Sequence, residues 1–166
     1  GGGSGGDIAA STFGGLLAVQ RGEVTPLAAP SWLHMAFFDA GAPASTRSLI
    51  GEVREGATAA PADYAAAIET LTAAAAQGLE GLRTSNAAAG YRAVQDACAK
   101  HVDGLSQLES LANVEICTPS IQRVMELARS LGLCAKPSGA GGGDIVVAFA
   151  TSQADLDRLS RRVWGE

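Results

Sequence analysis

Lys136-Pro137-Ser138-Gly139-Ala140-Gly141-Gly142-Gly143-Asp144 runs straight into Ile145-Val146-Val147-Ala148-Phe149-Ala150. A run of small residues before a short apolar segment describes a loop whose backbone comes very close to something. Glycine has no Cβ, so consecutive amides can turn toward one anionic ligand. Lys136 and Ser138 add a charge and a hydroxyl at the mouth of that loop, and the apolar run after it reads as a buried strand. By composition alone, the loop is either a phosphate cradle or a structural turn.

Working outward, hydrophobic residues make up 47% of the 166-residue chain, with many alanines and few aromatics, which favours close-packed helices over a β-sandwich. A net charge of −5 without a dense Lys/Arg cluster argues against a nucleic-acid surface. No apolar run reaches the roughly 18 residues of a membrane span, and no signal peptide is visible. Cys98, Cys117 and Cys134 are widely spaced and read as free thiols of a cytoplasmic protein rather than a disulfide framework. His34 and His101 are solitary, and no zinc-type constellation is present.

Before the glycine loop, Thr118-Pro119 opens a helix that faces Ile121, Val124, Met125 and Ala128 inward and stops at Gly132. Residues 133–135 enter the loop as a short strand. Upstream lie three alanine-rich helical segments, 61–79, 85–101 and 105–111, the last with a Leu105/Leu108/Leu111 core stripe. Residues 32–38 read as a strand, and Ser45 or Thr46 as the cap of a helix carrying Leu49, Ile50 and Val53. At the start, Gly1 to Gly6 resembles a linker. Asp7 follows, either capping the helix through Ile8-Ala9-Ala10 or aiming a carboxylate at a site. Arg21-Gly22 between two apolar runs marks a hairpin, and Ser152 or Asp155 opens a last helix. The order is α+β with few strands and no regular βαβ repeat; there is no GxxxxGK[ST] either, which excludes a P-loop fold.

Lys136 to Asp144 resembles the third motif of the GHMP kinases, in the form typical of phosphomevalonate kinases. Ser4-Gly5-Gly6-Asp7-Ile8-Ala9-Ala10-Ser11-Thr12-Phe13-Gly14-Gly15 is similar to the segment holding that family's catalytic aspartate, and Gly41-Ala42-Pro43-Ala44-Ser45-Thr46 to its GxPAST stretch. Thr118-Pro119 and its helix match more weakly. The resemblance implies the C-terminal ferredoxin-like domain of a GHMP kinase, helix-rich over a small, mostly antiparallel sheet. Residues 31–166 would form it, and residues 1–30 would be a helix and hairpin remaining from the N-terminal domain. The family's PxxxGLGSSA-type ATP loop has no counterpart in this sequence. The chain therefore reads as about half a kinase: an excised stretch, a proteolytic piece or one partner of a split enzyme.

For the complete enzyme, the resemblance implies transfer of the ATP γ-phosphoryl group to 5-phosphomevalonate. Asp7 would take the catalytic position. Ser4, Gly5, Gly6, Lys136, Ser138, Gly139 and Ala140 would bind substrate, and Gly141, Gly142, Gly143 and Asp144 would complete the phosphate loop. Lys136 supplies charge or pairs with Asp144. Ser45, Thr46 and Arg47 could meet an anion at their helix start, the alternative for Arg47 being a solvated first-turn side chain. ATP and Mg2+ would be bound mainly by the N-terminal half, with no metal ligand in this chain. The expected partners are a phosphorylated small molecule, ATP and that other half, with neither nucleic acid nor membrane. Apolar surface is expected to be exposed where the other half packs. The competing readings are a mevalonate kinase, another GHMP small-molecule kinase, or a non-catalytic subunit that binds substrate phosphate only.

Overall fold

The computed structural model describes residues 5–41, 46–139, 141–143 and 145–165. In chain order it places α1 (Gly6–Phe13), β1 (Leu16–Gln20), β2 (Glu23–Leu27), β3 (His34–Asp39), α2 (Thr46–Ala59), α3 (Pro61–Arg83), α4 (Ala87–Ala112), α5 (Pro119–Ser130), β4 (Cys134–Pro137), β5 (Ile145–Ala150) and α6 (Gln153–Trp164). Arg21 (φ 50°) and Gly22 (φ 85°) turn the β1–β2 hairpin, and α1 packs on β1.

The alanine-rich middle folds into one long helical pair. Pro61 at the first turn starts α3, and the Asn86 side chain accepts from the Ala89 amide to start α4. Buried Ala67, Ala74 and Gly81 on α3 recur every seven residues, as do Gly90, Ala97 and Gly104 on α4. That spacing keeps a seam of small residues facing the partner along both helices. The seam corrects the sequence reading of α4 as two pieces, 85–101 and 105–111. Gly104 does not interrupt the helix; it makes room for Leu71, whose Cγ would lie 2.7 Å from a Cβ at that position. For the same reason α3 runs on to Arg83 instead of stopping near residue 79.

The three-stranded sheet has the order β3-β5-β4, with every hydrogen-bonded pair antiparallel. β3 and β4 therefore run parallel with β5 between them, the split connection of a ferredoxin-like arrangement. One face presents Ala36, Phe38, Val146, Ala148, Ala150 and Ala135, which cluster with Ile121, Val124 and Ala128 of α5 and Leu156 and Leu159 of α6. These alanines let both helices approach closely, burying Val146, Ala148 and Ala150 completely. On the other face, Cys134 and Phe149 join Trp32, Val94 and Cys98 in a second cluster. Met35 and Phe37 of β3 share that face and are exposed.

Local signals set the ends of the last elements. Thr118 caps α5 through the Ile121 amide, while Ser152 both accepts from the Asp155 amide and donates to its carboxylate. The strand expected over 32–38 begins only at His34. The Leu33 amide donates to Pro30 O, making a turn, and Trp32 is buried against Gly90 with its indole donating to Thr84 O. β4 likewise spans Cys134–Pro137 and not 133–135.

Gly90 gives a test of the seam. Alanine normally gains about 1 kcal/mol over glycine inside a helix. Here its Cβ would lie 2.6 Å from Trp32 Cζ2 and 2.9 Å from Gly81 O. Gly90→Ala is expected to destabilise by about 1–3 kcal/mol in urea unfolding. Gly51→Ala, whose Cβ meets nothing within 4 Å, should stabilise by up to about 1 kcal/mol.

Candidate functional site

The glycine loop leaves β4 and returns as β5, and both ends are pinned. The Ser138 amide donates to Ile145 O at 2.8 Å, extending the ladder by one rung. Beyond it, Gly141, Gly142 and Gly143 hold φ of 78°, 82° and 111°, a succession that only glycine adopts without strain. The Gly142 amide donates to Ile116 O at 2.7 Å, and a Cβ on Gly141 would lie 2.4 Å from Ile116 Cγ2. Gly141 and Gly143 are buried, whereas Ser138 and Gly139 are exposed. The loop thus has a rooted side against Ile116 and an open side carrying a hydroxyl. Because the Ser138 and Gly142 amides are committed to the fold, what Ser138 can offer a ligand is its hydroxyl.

Ile116 belongs to the turn between α4 and α5, and polar groups hold that turn. One carboxylate oxygen of Glu109 accepts from the Ile116 amide at 2.7 Å and from the Cys117 amide at 2.6 Å. Gln122 donates to Cys117 O at 2.7 Å. Burial, aided by the Glu109 carboxylate, pushes the Cys117 thiol up to about 11. The sequence reading missed Glu109 and Ile116. They lie seven residues apart across a helix end and match no local motif, so only the fold brings them to the loop.

Lys136 points away from the loop mouth. It alternates with Ala135 and Pro137 on the sheet face that carries Cys134, and its ammonium donates to Pro137 O at 2.7 Å. Burial lowers its pKa, and its charge acts on Cys98 and His101 of α4. Cys98 and Cys134 pack in one cluster, and the interaction of their thiols lowers the pKa of Cys98 and, with burial, raises that of Cys134. Tyr91 completes this layer, its hydroxyl donating to Phe149 O at 3.0 Å and its pKa raised by burial. The titratable groups of Tyr91, Cys98, Cys134 and Lys136 therefore lie between α4 and the sheet face it covers, with His101 on the same helix.

Asp7 lies exposed in the first turn of α1. It is not the cap: Gly5, at φ 75°, occupies that position without a side-chain hydrogen bond, and its carbonyl accepts from Ala9. Asp7 and Gly6 are carried by α1, which packs on β1, while Ser138 is tied to the sheet and Gly142 to the α4–α5 turn. Ser4, Ser45, Ala140 and Asp144 lie outside the described residues, as do the side chains of Thr46 and Arg47.

A cavity of about 570 Å³ opens between α4, α5 and β4, with Cys98, Glu109, Cys117, Gln122 and Cys134 among its lining. Its lining comes from those elements and the turns beside them, with no described residue of the glycine loop among it. Among the described residues, no three His, Cys, Asp or Glu side chains gather to hold a metal ion. No helix among them is long and apolar enough to cross a membrane.

Residues 85–166 match the family model described as GHMP kinases C terminal. The chain is 28% identical, over 180 aligned residues, to the phosphomevalonate kinase of Streptomyces sp. (strain CL190), an alignment covering 93% of this chain and 47% of that protein. The crystal structure of L. major mevalonate kinase in complex with R-mevalonate matches all of this chain and 49% of its own, with a TM-score of 0.81 at 24% identity. The Lin0012 protein from Listeria innocua matches 86% of this chain and 39% of its own, with a TM-score of 0.78 at 19% identity. The last two likenesses are of fold. The chain spans about half the length of the curated relative it matches.

His101 gives the layer between α4 and the sheet a pH signature. Its Nε2 is buried without a partner, and burial, reinforced by the Lys136 charge, lowers its pKa from 6.5 to about 4. Between those values the unfolded chain takes up the proton and the folded one does not. Stability is therefore full above pH 6.5 and falls as pH drops toward 4, by on the order of 2 kcal/mol. His101→Leu should flatten that segment of a urea-midpoint-against-pH profile; an unchanged slope would remove His101 as its source.

Proposed function

We propose, on the premise that this chain carries a GHMP kinase C-terminal domain over residues 85–166, that it is part of a phosphomevalonate kinase acting in the cytoplasm. The observation that carries the reading is the 28% identity to a phosphomevalonate kinase over 93% of this chain. In this reading residues 1–30 belong to the N-terminal kinase domain and residues 31–166 form the C-terminal one. The complete enzyme transfers the γ-phosphoryl group of ATP to 5-phosphomevalonate, giving 5-diphosphomevalonate and ADP. ATP and Mg2+ are held mainly by the part of the kinase that this chain does not span. Exposed Ile8, Phe13, Met35 and Phe37 offer apolar surface to that part.

Phosphoryl transfer is chiefly positioning and charge neutralisation. The acceptor is itself a phosphate, with a second pKa near ~6 by analogy with phosphorylated side chains, so much of it is already a dianion at neutral pH. A strong general base is less needed than for a hydroxyl acceptor. Asp7 accordingly serves to orient the acceptor and a neighbouring cation. The open side of the loop, Ser138 and Gly139, contacts acceptor phosphate, and its rooted side keeps those groups in place. Lys136, half-buried and bound to Pro137 O, acts as a fixed positive charge behind the loop.

A substrate panel on the complete enzyme tests this. 5-Phosphomevalonate should be phosphorylated well ahead of mevalonate; the reverse preference would favour the mevalonate kinase reading. Asp7→Ala should lower kcat by roughly 100-fold or more, as misplaced reactants do. Asp7→Asn, which keeps the size and hydrogen-bonding of the side chain, should retain measurably more. Complete loss in Asp7→Asn at every pH would contradict a positioning role.

A further inference from the structure

We propose that Glu109 is a positioning residue for the glycine loop, acting on it through the Ile116 peptide. The coupling stands on geometry alone; its functional meaning rests on the phosphate-site reading above.

Glu109 is within four residues of the end of α4, where the helix dipole disfavours a negative side chain. Its contacts supply another reason for a carboxylate there. The Glu109 backbone carbonyl accepts from Asn113 and from Val114, and its side chain accepts from Ile116 and Cys117. One residue therefore takes four amide hydrogens of the turn that follows its own helix. At 2.6 and 2.7 Å the side-chain bonds have the length of charge-assisted ones. The Cys117 bond holds the N–H side of the Ile116–Cys117 peptide and the Ile116 bond holds the peptide before it, while Gln122 holds the Cys117 carbonyl of the peptide after it.

The carbonyl of that same Ile116–Cys117 peptide, Ile116 O, is the acceptor for Gly142. The same carbonyl oxygen stands 2.5 Å from where a Gly141 Cβ would be, so loop and turn touch through backbone. Rotation of the Ile116 peptide would break the Gly142 bond and drive the carbonyl or the Ile116 side chain into Gly141. Because the loop's other anchor, Ser138 to Ile145, lies at the strand end, the stretch between the anchors is set by Ile116. The Glu109 carboxylate touches no loop residue in these contacts, so any effect on the loop must travel through that peptide.

Amide hydrogen exchange on the 166-residue chain, read residue by residue, tests the coupling. In Glu109→Ala, exchange should accelerate by about tenfold or more at Ile116 and Cys117, as expected for a lost charge-assisted bond, and also at Gly142. Val147 in β5 and Leu159 in α6 should keep wild-type protection. Glu109→Gln retains an acceptor oxygen of nearly the same reach and should restore protection at Gly142. If Glu109→Ala fails to fold, Glu109→Asp keeps the charge but falls one methylene short, and Gly142 should exchange faster there too. Faster exchange at Ile116 with unchanged Gly142, in either variant, would overturn the proposal. A parallel titration with 5-phosphomevalonate separates the two readings. Weaker binding in Glu109→Ala, by about tenfold, supports both. Coupled exchange with no binding by the wild-type chain would leave Glu109 as the loop's positioner and remove the phosphate site.

Discussion

The Ile116 carbonyl is the contact on which the rest of the site depends. It accepts from Gly142 and lies so close to Gly141 that no side chain fits between them. Backbone-to-backbone approach of this kind requires glycine on one side and a rigid peptide on the other. The sequence supplies the first as Gly141-Gly142-Gly143, and the fold supplies the second through Glu109 and Gln122. The glycines therefore do two jobs: they take left-handed conformations, and they let the loop sit down on the α4–α5 turn. The side of the loop turned away from Ile116 carries the exposed Ser138 and Gly139.

The turn can be rigid because α4 is. Its end is held against α2, where a Cβ on Gly56 would lie 2.9 Å from Leu111 O, and its length is held against α3 by the small-residue seam. Close approach of α3 and α4 at Gly81 and Gly90 brings Trp32 into the gap, linking the helical pair to the chain just before β3. On the sheet side, Tyr91 reaches Phe149 O and Cys98 packs in one cluster with Cys134. A single helix thus carries packing from the seam, through the sheet, to the turn that seats the loop.

Much of this was legible in the sequence, and the exceptions have physical causes. Helix starts with strong local chemistry, such as Thr118-Pro119 and Ser152, stand where their caps place them, because capping is decided within one turn. Gly104 was misread because a glycine inside a helix looks the same whether it breaks the helix or admits a neighbour; only Leu71 across the seam distinguishes them. Trp32 looked like a strand residue because large apolar side chains favour strands, but its indole found a place against Gly90. Lys136 and Ser138 were read as neighbours at the loop mouth. The sheet register places Lys136 on the face that α4 covers, whereas Ser138 lies past the last residue of β4, in the open. Glu109 carried no signal at all, since its partners are separated from it by a helix end.

The central claim is that the open side of this loop receives substrate phosphate because its other side is seated on Ile116. Chemical-shift titration of the isotopically labelled chain with 5-phosphomevalonate, comparing wild type with Gly141→Ala, tests it most directly. The account predicts shifts concentrated at Ser138, Gly139 and the glycines after them, and affinity weaker by about tenfold or more in Gly141→Ala, whose Cβ has no room. Undiminished affinity in Gly141→Ala, or shifts confined to the cavity between α4 and α5, would contradict it.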